Sequence, residues 1–167
     1  KSRIYGLDLQ SAWQIDSNWS ADGNLSLLNA RYVRFFYEDQ LNPGLGNQDL
    51  KGKPLNRSPD WSLNFGLQYA RPLFEGTLTF RADVYSTAQF TLAPANTGAD
   101  VQPAYTTLGG SISYGTDDGK YLGRIWVKNA TNQAYLQGIF ALALFGIGRE
   151  GIYGDPATYG IELTRNL

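Results

Sequence analysis

Arg81 and Asp83 stand two residues apart on the polar side of one alternating segment, and Arg124 and Lys128 stand four apart on the polar side of another. Side chains at such spacings project from the same face of a strand, so each pair points one way. Two uses suit these groups. They can form a polar track that touches a solute, or an ion-pair ladder that satisfies its own charges on a wet face, and the ladder is the more ordinary of the two. Asp117 and Asp118 make a close carboxylate pair of the sort that suggests calcium. Further ligands at calcium spacing are missing, and the Asp-Gly signal in Thr116–Lys120 reads as a hairpin turn instead.

The rest of the usual reactive set is absent. With no histidine and no cysteine, the commonest general base, thiol nucleophiles, disulfides and thiolate metal sites are excluded, and carboxylates are the only residues able to bind a metal. Neither an enzyme nor a cofactor is expected. A net charge of -1 offers no broad basic surface, so nucleic acid is not an expected partner.

The charged pairs need strands to hold them. Leu63, Phe65, Leu67 and Tyr69 alternate with Ser62, Asn64, Gly66 and Gln68; after the turn Arg71–Gly76, Leu78, Phe80, Ala82 and Val84 alternate with Thr79, Arg81, Asp83 and Tyr85. A period of two is incompatible with helix. The pattern recurs from Tyr5 to Ile15, and from Leu25 to Phe36 with a bulge expected near Leu28, where the phase changes. It returns at Tyr105–Tyr114, at Tyr121–Lys128, from Ala134 onward, and at Thr158–Leu167. Turn chemistry at Asp16–Gly23 and long polar connections at Tyr37–Pro59 and Gln89–Pro103 separate these segments. About eight strands in sequence order predict one all-β unit over residues 1–167, an antiparallel up-and-down meander with no linker.

Alternation alone does not say which face meets water. A soluble sheet buries its apolar face, whereas a membrane barrel turns that face to lipid and keeps the polar one around an aqueous lumen. Strand length favours the barrel, because these segments approach the roughly 9–11 residues that cross a bilayer rather than the usual 5 or 6. Trp13, Trp19, Trp61, Tyr69 and Tyr121 suit anchors at the two membrane–water boundaries. The apolar run from Ile139 to Ile147 reads either as a surface that touches a ligand or as lipid-facing strand. Methionine is absent and the chain starts inside an alternating strand, which leads us to expect a piece of a longer protein.

Four segments, in order, resemble the C-terminal barrel strands of TonB-dependent outer-membrane receptors. They are Asp49–Trp61 (DLKGKPLNRSPDW), Gly76–Tyr85 (GTLTFRADVY), Trp126–Tyr135 (WVKNATNQAY) and Tyr153–Leu163 (YGDPATYGIEL). Ala130 and Asn132 replace the usual Leu and Asp of the third motif; Ala157 stands for the usual Arg, and Leu167 for the terminal aromatic. The resemblance implies a transmembrane barrel of about 22 strands closed around an N-terminal plug, of which this chain supplies the C-terminal portion without the plug or earlier strands. It further implies import of a scarce solute, a ferric siderophore before cobalamin or oligosaccharides, driven by the TonB complex in a Gram-negative outer membrane. Outer-membrane lipid and the barrel assembly machinery are implied partners, with Tyr159, Ile161, Leu163 and Leu167 resembling the C-terminal assembly signal. Arg81, Asp83, Arg124 and Lys128 would then line the lumen and touch ligand or plug.

Two other readings remain: a complete eight-stranded outer-membrane barrel with a structural or adhesion role, and a soluble β-sandwich binding module. Orientation is in conflict. Loop length would put Tyr37–Pro59 and Gln89–Pro103 outside the cell, whereas counting eight strands back from a last strand that ends in the periplasm puts Ser17–Asn24, Arg71–Gly76, Thr116–Lys120 and Gly138–Asp155 outside instead.

Overall fold

Residues 1–94, 98–142 and 148–166 are described by the computed structural model, the side chains of 141 and 142 excepted. The strands follow the alternation. β1 (Ser2–Gln14) and β2 (Trp19–Tyr32) come first, then the short pair β3 (Phe36–Glu38) and β4 (Asn47–Asp49). β5 (Trp61–Pro72) and β6 (Gly76–Thr87) lead through the two-residue β7 (Phe90–Thr91) and β8 (Val101–Gln102) to β9 (Tyr105–Thr116) and β10 (Tyr121–Lys128). β11 (Leu136–Leu142) and β12 (Gly148–Tyr153) precede the last strand, β13 (Thr158–Arg165).

Seven strands form one antiparallel wall in the order β1-β2-β5-β6-β9-β10-β13. It is an open piece of barrel with β1 and β13 as its margins. The expected bulge near Leu28 is not there: β1 and β2 pair without a break from Ser2↔Tyr32 to Gln14↔Ser20. Leu28 and Ala30 simply occupy the inner face, where the chain returns alongside β2 at Leu55, and Ala30 and Leu50 are buried. β2 also starts earlier than the polar run Asp16–Gly23 suggested. The turn is confined to Ile15–Asn18, where Asp16 Oδ1 accepts the N–H groups of Asn18 and Trp19, and Asp22 is free to be a strand residue because Arg81 takes its charge.

The strand expected from Ala134 is a second correction. β10 pairs directly with β13, from Tyr121↔Arg165 to Lys128↔Thr158, and β11 pairs with β12 as a separate hairpin. The cause lies in the Lys128-Asn129-Ala130-Thr131-Asn132 corner. Asn129 and Asn132 take left-handed backbone (φ 47° and 52°), which Asn tolerates better than most residues. The Asn129 side chain then donates to the carbonyls of Gln133 and Asp155 and accepts the Gln133 N–H, joining both feet of the connection. Asn132 Oδ1 accepts the Ala157 N–H.

Removing one strand from the count changes which connections share an end of the wall. The tight turns at 15–18, 73–75 and 117–120 all lie at one end of the wall, and β13 ends there too, with the Asn166 N–H on the Lys120 carbonyl. The long connections, 33–60, 88–104 and 129–157, all gather at the other end.

The wall is a single layer. Its outward rows are open, with Leu7 52%, Ile112 47% and Leu163 84% exposed. Buried side chains instead concentrate among the long connections, at Asp39, Leu50, Leu92, Thr91, Asp100, Gln102 and Asn129. Close strand packing still constrains the wall: a Cβ added at Gly110 would lie 2.8 Å from the Arg81 carbonyl oxygen of the neighbouring strand. Gly110→Ala is expected to cost about 1–3 kcal/mol by forcing the ladder apart. The midpoint of denaturant unfolding in bilayers measures it, and an unchanged midpoint would show that β6 and β9 have room to give.

Candidate functional site

Strand register places most polar residues of the seven strands on one concave face. Arg81 is opposite Gln68 and Ser111, Asp83 opposite Gly66 and Gly109, and Arg124 opposite Ser113 and Glu162. Arg81 reaches from β6 across β5 to β2: it meets Asp22 at 2.8 Å and Asp83, on its own strand, at 2.8 Å. Gly66 lies under its guanidinium, where any side chain would collide with it. Arg124 and Lys128 share this face but form no ion pair among the described residues, and Lys128 sits 5.4 Å from the Trp126 ring centroid. The four residues thus form two groups, one internally neutralised and one open. Trp126 packs flat over Gly160, whose absent Cβ would be 2.6 Å from the ring. Together these residues line a concavity of about 770 Å³.

Aromatic residues on the opposite face fall near its ends. Trp13, Trp19, Tyr69 and Tyr121 are on the turn side, with Trp19 and Tyr69 in contact at 4.9 Å between centroids; Trp61 is at the end with the long connections. Tyr159, Ile161 and Leu163 share the outward face of β13, exposed 83%, 74% and 84%. Leu167 lies outside the described residues. Asp118 is bound to Thr116 and to the Lys120 N–H, the geometry of a turn.

At the end with the long connections the concave face opens into a second hollow of about 670 Å³. Tyr105 stacks on Tyr135 at 4.4 Å and 9° and meets Tyr85 edge-on at 5.9 Å; Arg57 and Phe140 complete the lining. Arg57 holds left-handed backbone (φ 53°), with its N–H on the Thr91 carbonyl and its guanidinium against Gly138. Ile139 and Phe140 line this hollow from the β11–β12 hairpin, so this part of the apolar run belongs to the mouth and not to the wall; residues 143–147 lie outside the described residues.

A buried charge cluster joins all three long connections at this end of the wall. Arg149, on β12, bonds Asp100 at 2.7 Å and Asp39 at 2.9 Å, and the two carboxylates are 1% and 4% exposed. Burial pushes the Asp39 carboxyl up, but bonds from Asn42, the Leu41 N–H and Arg149 outweigh it and leave it below the ordinary carboxylate range. The hollow itself offers stacking surfaces at Tyr85, Tyr105 and Tyr135 and a cation, Arg57, which suit a planar solute. Among the described residues, no group of three acidic side chains could hold a metal ion.

Sequence reasoning missed Arg57, Tyr135 and the Asp39–Asp100–Arg149 cluster as site residues. For Tyr85 and Tyr105 a signal was present: both are aromatic residues at polar-face positions of strands whose other aromatics face outward.

The sequence matches the family model described as TonB dependent receptor-like, beta-barrel, over residues 1–132. No curated protein matches it in sequence. Among solved structures, the ferric yersiniabactin uptake receptor FyuA from Yersinia pestis superposes with a TM-score of 0.79 at 16% identity, over 98% of this chain and 23% of that one. The siderophore receptor PiuA from Acinetobacter baumannii gives 0.74 at 13%, over 97% and 21%. BauA, the ferric preacinetobactin receptor from the same organism, gives 0.72 at 16%, over 98% and 22%. The chain thus spans less than a quarter of the length of these structures, and at such identity the likeness is one of fold.

Proposed function

Because the chain belongs to the TonB-dependent receptor-like β-barrel family, we propose that it is the C-terminal wall of an outer-membrane receptor that captures a scarce solute, a ferric siderophore first, and imports it with energy from the TonB complex. One observation carries this reading. The wall is a single sheet, apolar outside and polar inside, and its three long connections converge on an aromatic hollow at one end. A sandwich would need a second sheet over the outward rows, and those rows are open. A complete small barrel would need β1 to pair with β13, and among the described residues they do not.

In this reading the long connections face the medium and the tight turns the periplasm. Outer-membrane lipid covers the outward rows, and the remaining strands of a barrel of about 22, closed around a plug, continue from the two margins. Arg124 and Lys128 face the plug or the passing solute, Arg81 and Asp83 brace the wall, and the outward row Tyr159, Ile161, Leu163 is offered to the assembly machinery. The site works by binding and release, with no bond made or broken by the chain. The test is uptake of iron-55 supplied as ferric siderophores of several chemical classes to cells whose only such receptor is the full-length protein. TonB-dependent accumulation of one class is expected. Accumulation that persists without TonB, or none for any chelate by a receptor that reaches the outer membrane, overturns it.

A further inference from the structure

On the outward face of the seven wall strands, every charged residue among those described is an arginine. Arg71 and Arg165 lie at the turn end; Arg3 and Arg31 lie at the end of the long connections, and those two are direct register partners. Like charges set opposite each other across two strands repel, and here they do so where the apolar surface of Tyr5, Leu7, Leu9 and Leu27 stops. Protein groups answer only part of this charge. Asp60 takes Arg31 Nη2 at 2.7 Å, and the Ala30 carbonyl takes Nη1 at 3.2 Å. Arg3 is exposed and has no ion-pair partner among the described residues. A net positive charge is left at the edge of a strip of oily side chains.

We infer that Arg3 and Arg31 form a clamp for the phosphate of a phosphorylated lipid headgroup in the outer leaflet, whose acyl chains lie along Tyr5, Leu7 and Leu9. Guanidinium forks match phosphate oxygens in pairs, and an anion between the two arginines turns their repulsion into a shared contact. Arg71 and Arg165 are on separate strands with three others between them and make no such pair. Asp60 works against the anion, so its removal strengthens the site. The inference rests on the orientation proposed above, which sets this rim at the outer surface.

Full-length receptor in detergent micelles is titrated with diphosphorylated lipid A, with the same lipid stripped of its phosphates, and with inorganic phosphate, and bound mass is read by native mass spectrometry. Retention of the phosphorylated lipid alone is expected. Arg3→Gln and Arg31→Gln should each weaken it about fivefold, Asp60→Asn should tighten it, and Arg71→Gln and Arg165→Gln should leave it unchanged. Heat-dependent gel mobility confirms that each variant is folded. Equal retention of the stripped lipid, or full retention by the folded Arg3→Gln, Arg31→Gln double variant, overturns the clamp and leaves the transporter reading intact. A receptor that stays in solution without detergent would instead sink the membrane reading.

Discussion

Arg149→Met is expected to set the three long connections free of one another while the wall survives. The substitution removes the cation shared by two carboxylates that are almost wholly buried, and breaking a buried pair in this way costs about 3–5 kcal/mol. Limited proteolysis reads the effect: residues 33–60, 88–104 and 129–157 should become cleavable together, with the strands still protected. Arg149→Lys keeps the charge but loses the fork that reaches both partners, and should recover only part of the protection. Cleavage confined to one connection would show that the cluster does not unite them. Because Asp39 is held below its unfolded value, its share of this stability is present at neutral pH and above the ordinary carboxylate range. It is lost as pH falls through the lower folded value.

The second large effect is on the outward face. Leu67 lies near the middle of β5 on the outward face, beside Phe80 and Ile112. Leu67→Arg should destabilise the barrel by about 2–4 kcal/mol when folding into bilayers is followed by denaturant titration. Asn64→Arg, on the concave face of the same strand, should change it by no more than about 0.5 kcal/mol. Equal costs at the two positions would mean that the faces are wrongly assigned.

Much of the wall was legible in the residues. β5, β6, β9, β10 and β13 could be read because apolar and polar residues alternate there without a phase change, and alternation is local. β2 was harder, since Asp22 and Gly23 look like turn residues until Arg81, from a strand far away in sequence, is seen to neutralise one of them. The hairpin from Leu136 to Tyr153 was misjudged for a similar reason. Its residues suit a strand, and only the Asn129 side chain, bonding backbone at Gln133 and Asp155, shows that the wall has already turned toward β13. The buried cluster was out of reach altogether. Asp39, Asp100 and Arg149 are unremarkable in composition, and they meet only because three connections fold over the same opening.

The two margins of the sheet bear on how such a wall comes into being. Along β1 and β13 half of the main-chain amides and carbonyls point away from any neighbour among the described residues. In hydrocarbon each of these groups would forfeit several kcal/mol. In the proposed setting, then, a half-built wall has no restful state inside the bilayer: strands must enter with a borrowed seam at their flank, or cross together at the moment the cylinder shuts.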